Sequence, residues 1–170
     1  FINLDKILYL DGDTLINKDI TALFDIDISD AYVISVDDMG NKYSENSDSV
    51  LSKRIGISGT SYFNSGVMLL NLERMRKDNI YQKLITYRVE QKNYFMDQDA
   101  FNSVLSEKRL KISCEYNFLT TVFEEMDIEE INNTFFEKHY TNCEMCLKEQ
   151  TVIHMSGKLK PWNYHIPWVT

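Results

Sequence analysis

Three short apolar runs set the class of fold open to this chain: KILYL (6–10), AYVISV (31–36) and GVMLLNL (66–72). Each is short, and KILYL and AYVISV stop at acidic residues, so the runs predict buried strands. LKIS (110–113) and TVIHM (151–155) add two shorter extended segments. Between the runs the period changes. Ile80, Leu84, Ile85 and Val89 recur at helical spacing after Leu72, which predicts an amphipathic helix. MDQDAFNSVLSE (96–107) predicts another, with Ala100, Phe101, Val104 and Leu105 facing inward and Asp97 or Asp99 as its cap. Strands alternating with helices predict a layered α/β fold, a mixed sheet flanked by helices. A chain of 170 residues fits a single domain, 1–170, and can bury a core without staples.

The formal net charge of −8 repels phosphate backbones, so no nucleic-acid partner is expected. A small phosphorylated ligand stays open, because a bound cation inverts the local charge. Three cysteines, Cys114, Cys143 and Cys146, are an odd number without a disulfide framework and indicate a reducing compartment. Cys143 and Cys146 have C-x-x-C spacing but lack the further ligands of a structural zinc site. No apolar run approaches the roughly 20 residues that span a bilayer, and no signal peptide is visible. The first residue is Phe1, which suggests a start inside a longer protein.

ILYLDGDTLI (7–16) delivers two carboxylates, Asp11 and Asp13, to the end of the first strand. Ligands of open α/β sheets bind where strands end. Residues i and i+2 of an extended segment point the same way, so the pair is expected to converge, with Gly12 permitting close approach by a ligand. Converging carboxylates repel until one takes a proton or a cation neutralises them. Mg²⁺ or Mn²⁺ suits such a pair together with phosphate oxygens. Taken alone, D-x-D reads first as an Asp-Gly turn. HMSGKLKPW (154–162) weighs against that reading. There His154 can supply a neutral imidazole ligand, Gly157 can let backbone N–H groups approach a phosphate, and Lys160 adds a point charge. The polar stretch 38–60 reads as a long loop, and EEMDIEE (124–130) as a solvated helix face.

YLDGDTLI (9–16), YFNSGVMLLNL (62–72), DQDAFN (97–102), YN (116–117) and HMSGKLKPW, in that order, resemble the family-8 glycosyltransferases. These are retaining, metal-dependent enzymes of the GT-A fold. The nearest likeness is to bacterial galactosyl- and glucosyltransferases of lipopolysaccharide and other surface glycans. The resemblance implies transfer of galactose or glucose from a UDP-sugar to a glycan or lipid-linked saccharide. It implies Mn²⁺, with Mg²⁺ as the alternative, on Asp11, Asp13 and His154. It places Gly157 and Lys160 on the nucleotide diphosphate, and Asn64 and Asp97 on the donor sugar's hydroxyls. It sets Gln98 on the reacting face of that sugar. An amide is a poor nucleophile, so front-face attack is preferred to double displacement, with the Gln98 carbonyl oxygen stabilising developing positive charge. A cytoplasmic location follows, at the inner face of the membrane where segments outside this chain associate peripherally.

Bland readings stand beside these roles: Asp97 as a helix cap, Asn64 as a turn residue beside Gly66, Trp162 as packing. His139 and His165 carry no constellation. Members of the family have roughly 80–100 residues ahead of the D-x-D strand, enough for about two βαβ units. On that comparison the chain resembles the C-terminal two-thirds of a catalytic domain, with the N-terminal nucleotide-binding half truncated. Weak donor binding and an exposed edge at the first strand are therefore expected. The alternative function is that of a non-catalytic remnant, a structural or interaction module.

Overall fold

The computed structural model describes residues 3–39, 55–57, 62–90, 96–158 and 160–163. In chain order the strands are β1 (Lys6–Leu10), β2 (Thr14–Ile16), β3 (Val33–Asp37), β4 (Phe63–Asn71), β5 (Arg109–Lys111), β6 (Phe118–Leu119) and β7 (Val152–His154). The helices with described bounds are α1 (Leu72–Lys77), α2 (Ile80–Glu90), α3 (Met96–Leu105), α4 (Val122–Glu125), α5 (Ile128–Phe135) and α6 (Cys143–Glu149). The chain divides into two compact units, Phe1–Leu10 with Thr21–Ile112, and Asp11–Ile20 with Ser113–Thr170.

The first unit holds a mixed sheet in the order β1-β4-β3-β5. Central β4 runs antiparallel to β1, from Lys6 opposite Asn71 to Leu10 opposite Val67, and antiparallel to β3. β5 lies parallel to β3. β4 is buried along nearly all its length, so its sequence reads as an apolar run rather than an alternation. Both faces are covered. Val33 and Met68 pack with Phe63, Ile80 and Leu105, whereas their neighbours Ile34 and Leu69 pack with Ile28 and Ala31. The two-residue period of a strand sends successive side chains to these opposite clusters. β1 occupies one edge of the sheet.

Asn71 joins sheet to helix. Its Oδ1 accepts the Arg74 N–H at 2.9 Å and caps α1, while its Nδ2 donates to the carbonyls of Ile28 at 2.8 Å and Ala31 at 3.1 Å. The helical stretch after Leu72 is broken at Asp78 and Asn79. The Asp78 carboxylate accepts from Tyr32, Arg74 and Lys108, and Asn79 takes a positive φ of 52°. These partners from distant positions outweigh the local helical period. Ile80 faces inward, but Ile85 is 40% exposed, so the apolar face is narrower than the spacing suggests. The side chain of Val89 lies outside the described residues. In α3, Ala100 and Leu105 are buried and Phe101 and Val104 half-buried, as their spacing predicts. Neither Asp97 nor Asp99 is its cap, since both lie within its first turn.

In the second unit β2-β7-β6 form a small sheet, β2 antiparallel and β6 parallel to β7. β2 and β6 are three and two residues long, too short to show a period in the sequence. The acidic run does not form one helix. Asp127 opens α5 with a capping box, its side chain on the Glu130 N–H and the Glu130 side chain on its own N–H. The glutamates at 124, 125, 129 and 130 are exposed. Asn132 holds Tyr140 through both backbone groups, and Phe118 packs between Phe123 and Phe136. Gly157 has φ +84°, and a Cβ there would stand 2.5 Å from the Thr121 methyl. The Thr121 hydroxyl meanwhile meets that of Ser156 at 3.2 Å. Among the described residues no helix is long and apolar enough to cross a membrane. The stretch read as a loop over 38–60 lies outside the described residues except at 38, 39 and 55–57.

Asn71→Ala removes a cap and leaves two carbonyls without their donor. The expected loss is about 3 kcal/mol, from ~1 for the cap and ~1 or more for each orphaned carbonyl. Urea unfolding followed by circular dichroism measures it, and a loss under about 1 kcal/mol would contradict the bonding described. Gly157→Ala should lower the thermal midpoint through both its positive φ and the Thr121 methyl. Adding Thr121→Ser, which deletes that methyl and keeps the hydroxyl, should restore only the steric part.

Candidate functional site

Asp11 and Asp13 flank a turn. The Thr14 N–H and hydroxyl both reach the Asp11 carbonyl, at 3.3 and 2.8 Å. Convergence of the two carboxylates thus comes from a turn closed by Thr14, not from the alternation of an extended strand. Gly12 is not required by the fold, because a Cβ there would meet nothing within 4 Å and its φ is ordinary. The β2–β7 register sets Thr14 opposite His154, and the Met155 N–H donates to the Asp13 carbonyl at 2.9 Å. His154 Nε2 stands 3.2 Å from Asp13 Oδ1 and 3.7 Å from Asp11 Oδ2. One ligand atom from each of the three residues lies within 4.8 Å of the others.

The electrostatics suit a cation. Burial lowers the pKa of His154 below the usual imidazole value, and the Asp13 and Asp11 carboxylates offset this only in part, so the ring is neutral at neutral pH. Burial alone would raise Asp13, but its hydrogen bond to Lys160 and the charge of that ammonium outweigh burial and hold its pKa below the usual carboxylate value. Two carboxylates and a neutral imidazole are a donor set for Mn²⁺ and related divalent ions. Lys160 Nζ lies against Asp13 Oδ2 and the Met155 carbonyl. Trp162 is 62% exposed and stands with its ring 5.9 Å from that ammonium, so it does not serve the core. Gly157 belongs to the same stretch as Lys160 and takes a positive φ. Asn117, wholly buried, places its Oδ1 3.0 Å from His154 Nδ1.

The remaining candidates lie in the first unit. Gln98 on α3 is fixed at both ends of its amide. Its Oε1 accepts from the Ser65 N–H at 3.0 Å and the Ser65 hydroxyl at 3.3 Å. Its Nε2 donates to Asp38 Oδ2 at 3.1 Å and Tyr62 Oη at 3.3 Å. Asn64 donates to the same Asp38 oxygen at 3.4 Å and turns its own oxygen to the Gly66 N–H at 2.9 Å, a turn-type bond. Tyr62 donates to buried Asp99 at 2.9 Å. Burial, with the Asp99 and Asp38 carboxylates nearby, keeps the Tyr62 hydroxyl protonated far beyond neutral pH. Asp97 is exposed and accepts the Gln98 N–H at 3.1 Å. The Gln98 carbonyl oxygen, read from the sequence as facing a substrate, is thus engaged by Ser65.

Sequence reasoning missed Asp38, Tyr62 and Asn117. Asp38 comes just after an apolar run and its terminating Asp37, and Asn117 follows a tyrosine in a block that carried no assigned chemistry. The C-x-x-C pair heads α6 with both thiols raised by burial, Cys146 to about 12, so neither is a thiolate at neutral pH.

Comparison with known proteins accords with this architecture. The chain is 29% identical over 165 residues to a lipopolysaccharide 1,2-glucosyltransferase of Escherichia coli strain K12, covering 95% of this chain and 45% of that protein. It is 28% identical to general stress protein A of Bacillus subtilis, covering 95% of this chain and 54% of that one. The chain spans about half the length of the curated relatives it matches. The crystal structure of the galactosyltransferase LgtC in complex with donor and acceptor sugar analogues superposes with a TM-score of 0.70 at 26% identity, covering 94% of this chain and 55% of LgtC. The fold is that of the GT-A glycosyltransferases, a mixed α/β arrangement of sheets and helices. The sequence model described as glycosyl transferase family 8 matches residues 1–165, and the chain belongs to that family.

Proposed function

We propose that this protein transfers a hexose, galactose or glucose, from a UDP-sugar to a glycan or lipid-linked saccharide with retention at the anomeric carbon. The observation that carries this reading is the approach of Asp11, Asp13 and His154 to within one coordination sphere. The relatives named above, a lipopolysaccharide glucosyltransferase and a galactosyltransferase, support the hexose and the saccharide acceptor. Mn²⁺, with Mg²⁺ as the alternative, would be held by Asp11, Asp13 and His154 and would supply charge neutralisation for a departing diphosphate.

The chain's own groups divide the rest of the work. Lys160 offers an ammonium, and Gly157 is the position assigned to backbone N–H contact with an approaching phosphate. Asn64 and Asp97 are the groups assigned to the sugar hydroxyls, fixing the anomeric carbon for the acceptor. Gln98 is a positioned amide rather than an attacking one. With both lone pairs of its oxygen engaged by Ser65, it is a still poorer nucleophile, which supports front-face transfer. The bond from the anomeric carbon to the phosphate oxygen breaks, the acceptor oxygen bonds to that carbon from the same face, and the acceptor's proton passes to the departing phosphate. No side chain has to act as a strong base.

Asp13→Asn and His154→Ala should each lower Mn²⁺-dependent UDP release from the cognate UDP-hexose by about 100-fold or more, a loss of ~2.7 kcal/mol in transition-state stabilisation. A screen of UDP-hexoses with and without chelator measures it. Turnover indifferent to the chelator, or a loss under tenfold in both variants, would overturn the metal-dependent reading. A remnant without catalysis would show no metal-dependent release from any donor.

A further inference from the structure

We propose that Asn117 is a positioning residue that holds the His154 imidazole in its Nδ1–H tautomer and so presents the Nε2 lone pair to the cation shared with Asp11 and Asp13. The inference rests on the metal reading above and concerns a residue outside the ligand set. His154 Nδ1 lies 3.0 Å from Asn117 Oδ1. An amide oxygen can only accept, so the ring nitrogen facing it must carry the hydrogen. An imidazole that holds a cation through one nitrogen is neutral and keeps its single N–H on the other. Nε2 then carries the lone pair, and it faces the Asp13 and Asp11 carboxylate oxygens at 3.2 and 3.7 Å, three acceptors that only a cation between them can satisfy together.

Both ends of the contact are anchored by backbone. The His154 carbonyl accepts the Thr120 N–H at 3.0 Å, and its strand pairs with Thr14 on one side and Leu119 on the other. The Asn117 N–H donates to the Cys114 carbonyl at 3.0 Å, closing the turn that leads into β6. Both side chains are buried, so water does not compete for the ring nitrogen. The rival arrangement turns the amide over. Its NH₂ would then donate to Nδ1, and the ring hydrogen would sit on Nε2, pointing at Asp13. That ring has no lone pair for a metal. An asparagine suits the post better than an aspartate, because it accepts without adding a third negative charge that would draw a proton onto the ring. Partners of this kind fix the tautomer and orientation of ligating histidines, and their loss weakens metal binding by about 10–100-fold.

The test reads the ring nitrogens directly. Long-range ¹H–¹⁵N correlation spectra of the histidine-labelled protein in saturating diamagnetic Mg²⁺ distinguish the tautomers, and substitution of His139 and His165 assigns the His154 signal. The wild type should carry its hydrogen on Nδ1. Asn117→Leu, similar in volume but without an acceptor, should shift the ring toward Nε2–H and weaken Mn²⁺ binding about 10–100-fold by calorimetry. Asn117→Asp should keep the Nδ1–H form. A hydrogen on Nε2 in the wild type overturns the inference, and so does a folded Asn117→Leu with unchanged tautomer and affinity. If Asn117→Leu does not fold, the wild-type and Asn117→Asp spectra decide. A wild type that binds no Mn²⁺ while carrying Nδ1–H would overturn the metal reading and leave the tautomer assignment standing.

Discussion

The hydrogen bond from the Met155 N–H to the Asp13 carbonyl, at 2.9 Å, and the ladder that sets Thr14 opposite His154 bring the two ends of the sequence together. Side chains could not do this alone. The two carboxylates repel each other in this half-buried site, so side-chain attraction does not assemble the trio. Main-chain bonds hold them in register irrespective of that repulsion, and Lys160 offsets part of it on the Asp13 side. The trio is thus a consequence of strand pairing, and its geometry follows from the turn at Thr14. Long-range pairing of this kind carries a loop-closure cost that grows only slowly with the number of residues enclosed. Distance along the chain is therefore no obstacle to building a site from both ends.

The cluster in the first unit is organised differently. There the scaffold is a chain of hydrogen bonds, buried at Asp99 and half-buried beyond it, from Asp99 through Tyr62 and Gln98 to Asp38 and Asn64. Each member is oriented by the next. Tyr62 donates to Asp99, so its oxygen accepts from Gln98, and that fixes which end of the amide faces Ser65. Such networks lose heavily when one partner is removed, because the others are left unpaired in a low dielectric. Asp38 receives two amide donors on one oxygen, which gives it an orienting influence on both Asn64 and Gln98 that its place in the sequence does not advertise.

The sequence was most readable where burial dominates. β3 and β4 are buried apolar runs whose inward clusters follow from the strand period, whereas β1 forms the expected strand but, at the sheet edge, has no fully buried residue and leaves Tyr9 41% exposed. α3 was legible for the same reason. β2 and β6 were not, because two or three residues show no period and their pairing is decided by β7. The break between α1 and α2 was hidden because Asp78 is bound by Tyr32 and Lys108, distant in sequence, and local propensity cannot report them. In the site, residue type was the guide. Asp, His and Lys in unusual groupings announced themselves, whereas Asn117, Tyr62 and Asp38 act through orientation, and ordinary residue types carry no such signal. The Asp-Gly-Asp stretch was identified rightly as a pair of converging carboxylates, but it was the turn, set aside in favour of strand alternation, that brings them together, and its glycine has no structural duty.

The charge balance gives the metal reading its last support. A chain with net charge −8 and a pI near 4.9 would disfavour a diphosphate approaching any average part of its surface. Fields from exposed charges fade over a Debye length, about 8 Å at physiological ionic strength, so the immediate surroundings decide the matter. At the Asp11–Asp13–His154 site those surroundings are two carboxylates, a neutral ring and one ammonium already in contact with Asp13. Summed, they remain negative. A polyanion and this site become compatible only when a divalent cation changes the local sign, after which Lys160 adds to the attraction rather than merely balancing Asp13. A phosphate-bearing donor and a metal requirement are therefore one hypothesis in this chain, and neither is electrostatically sensible without the other.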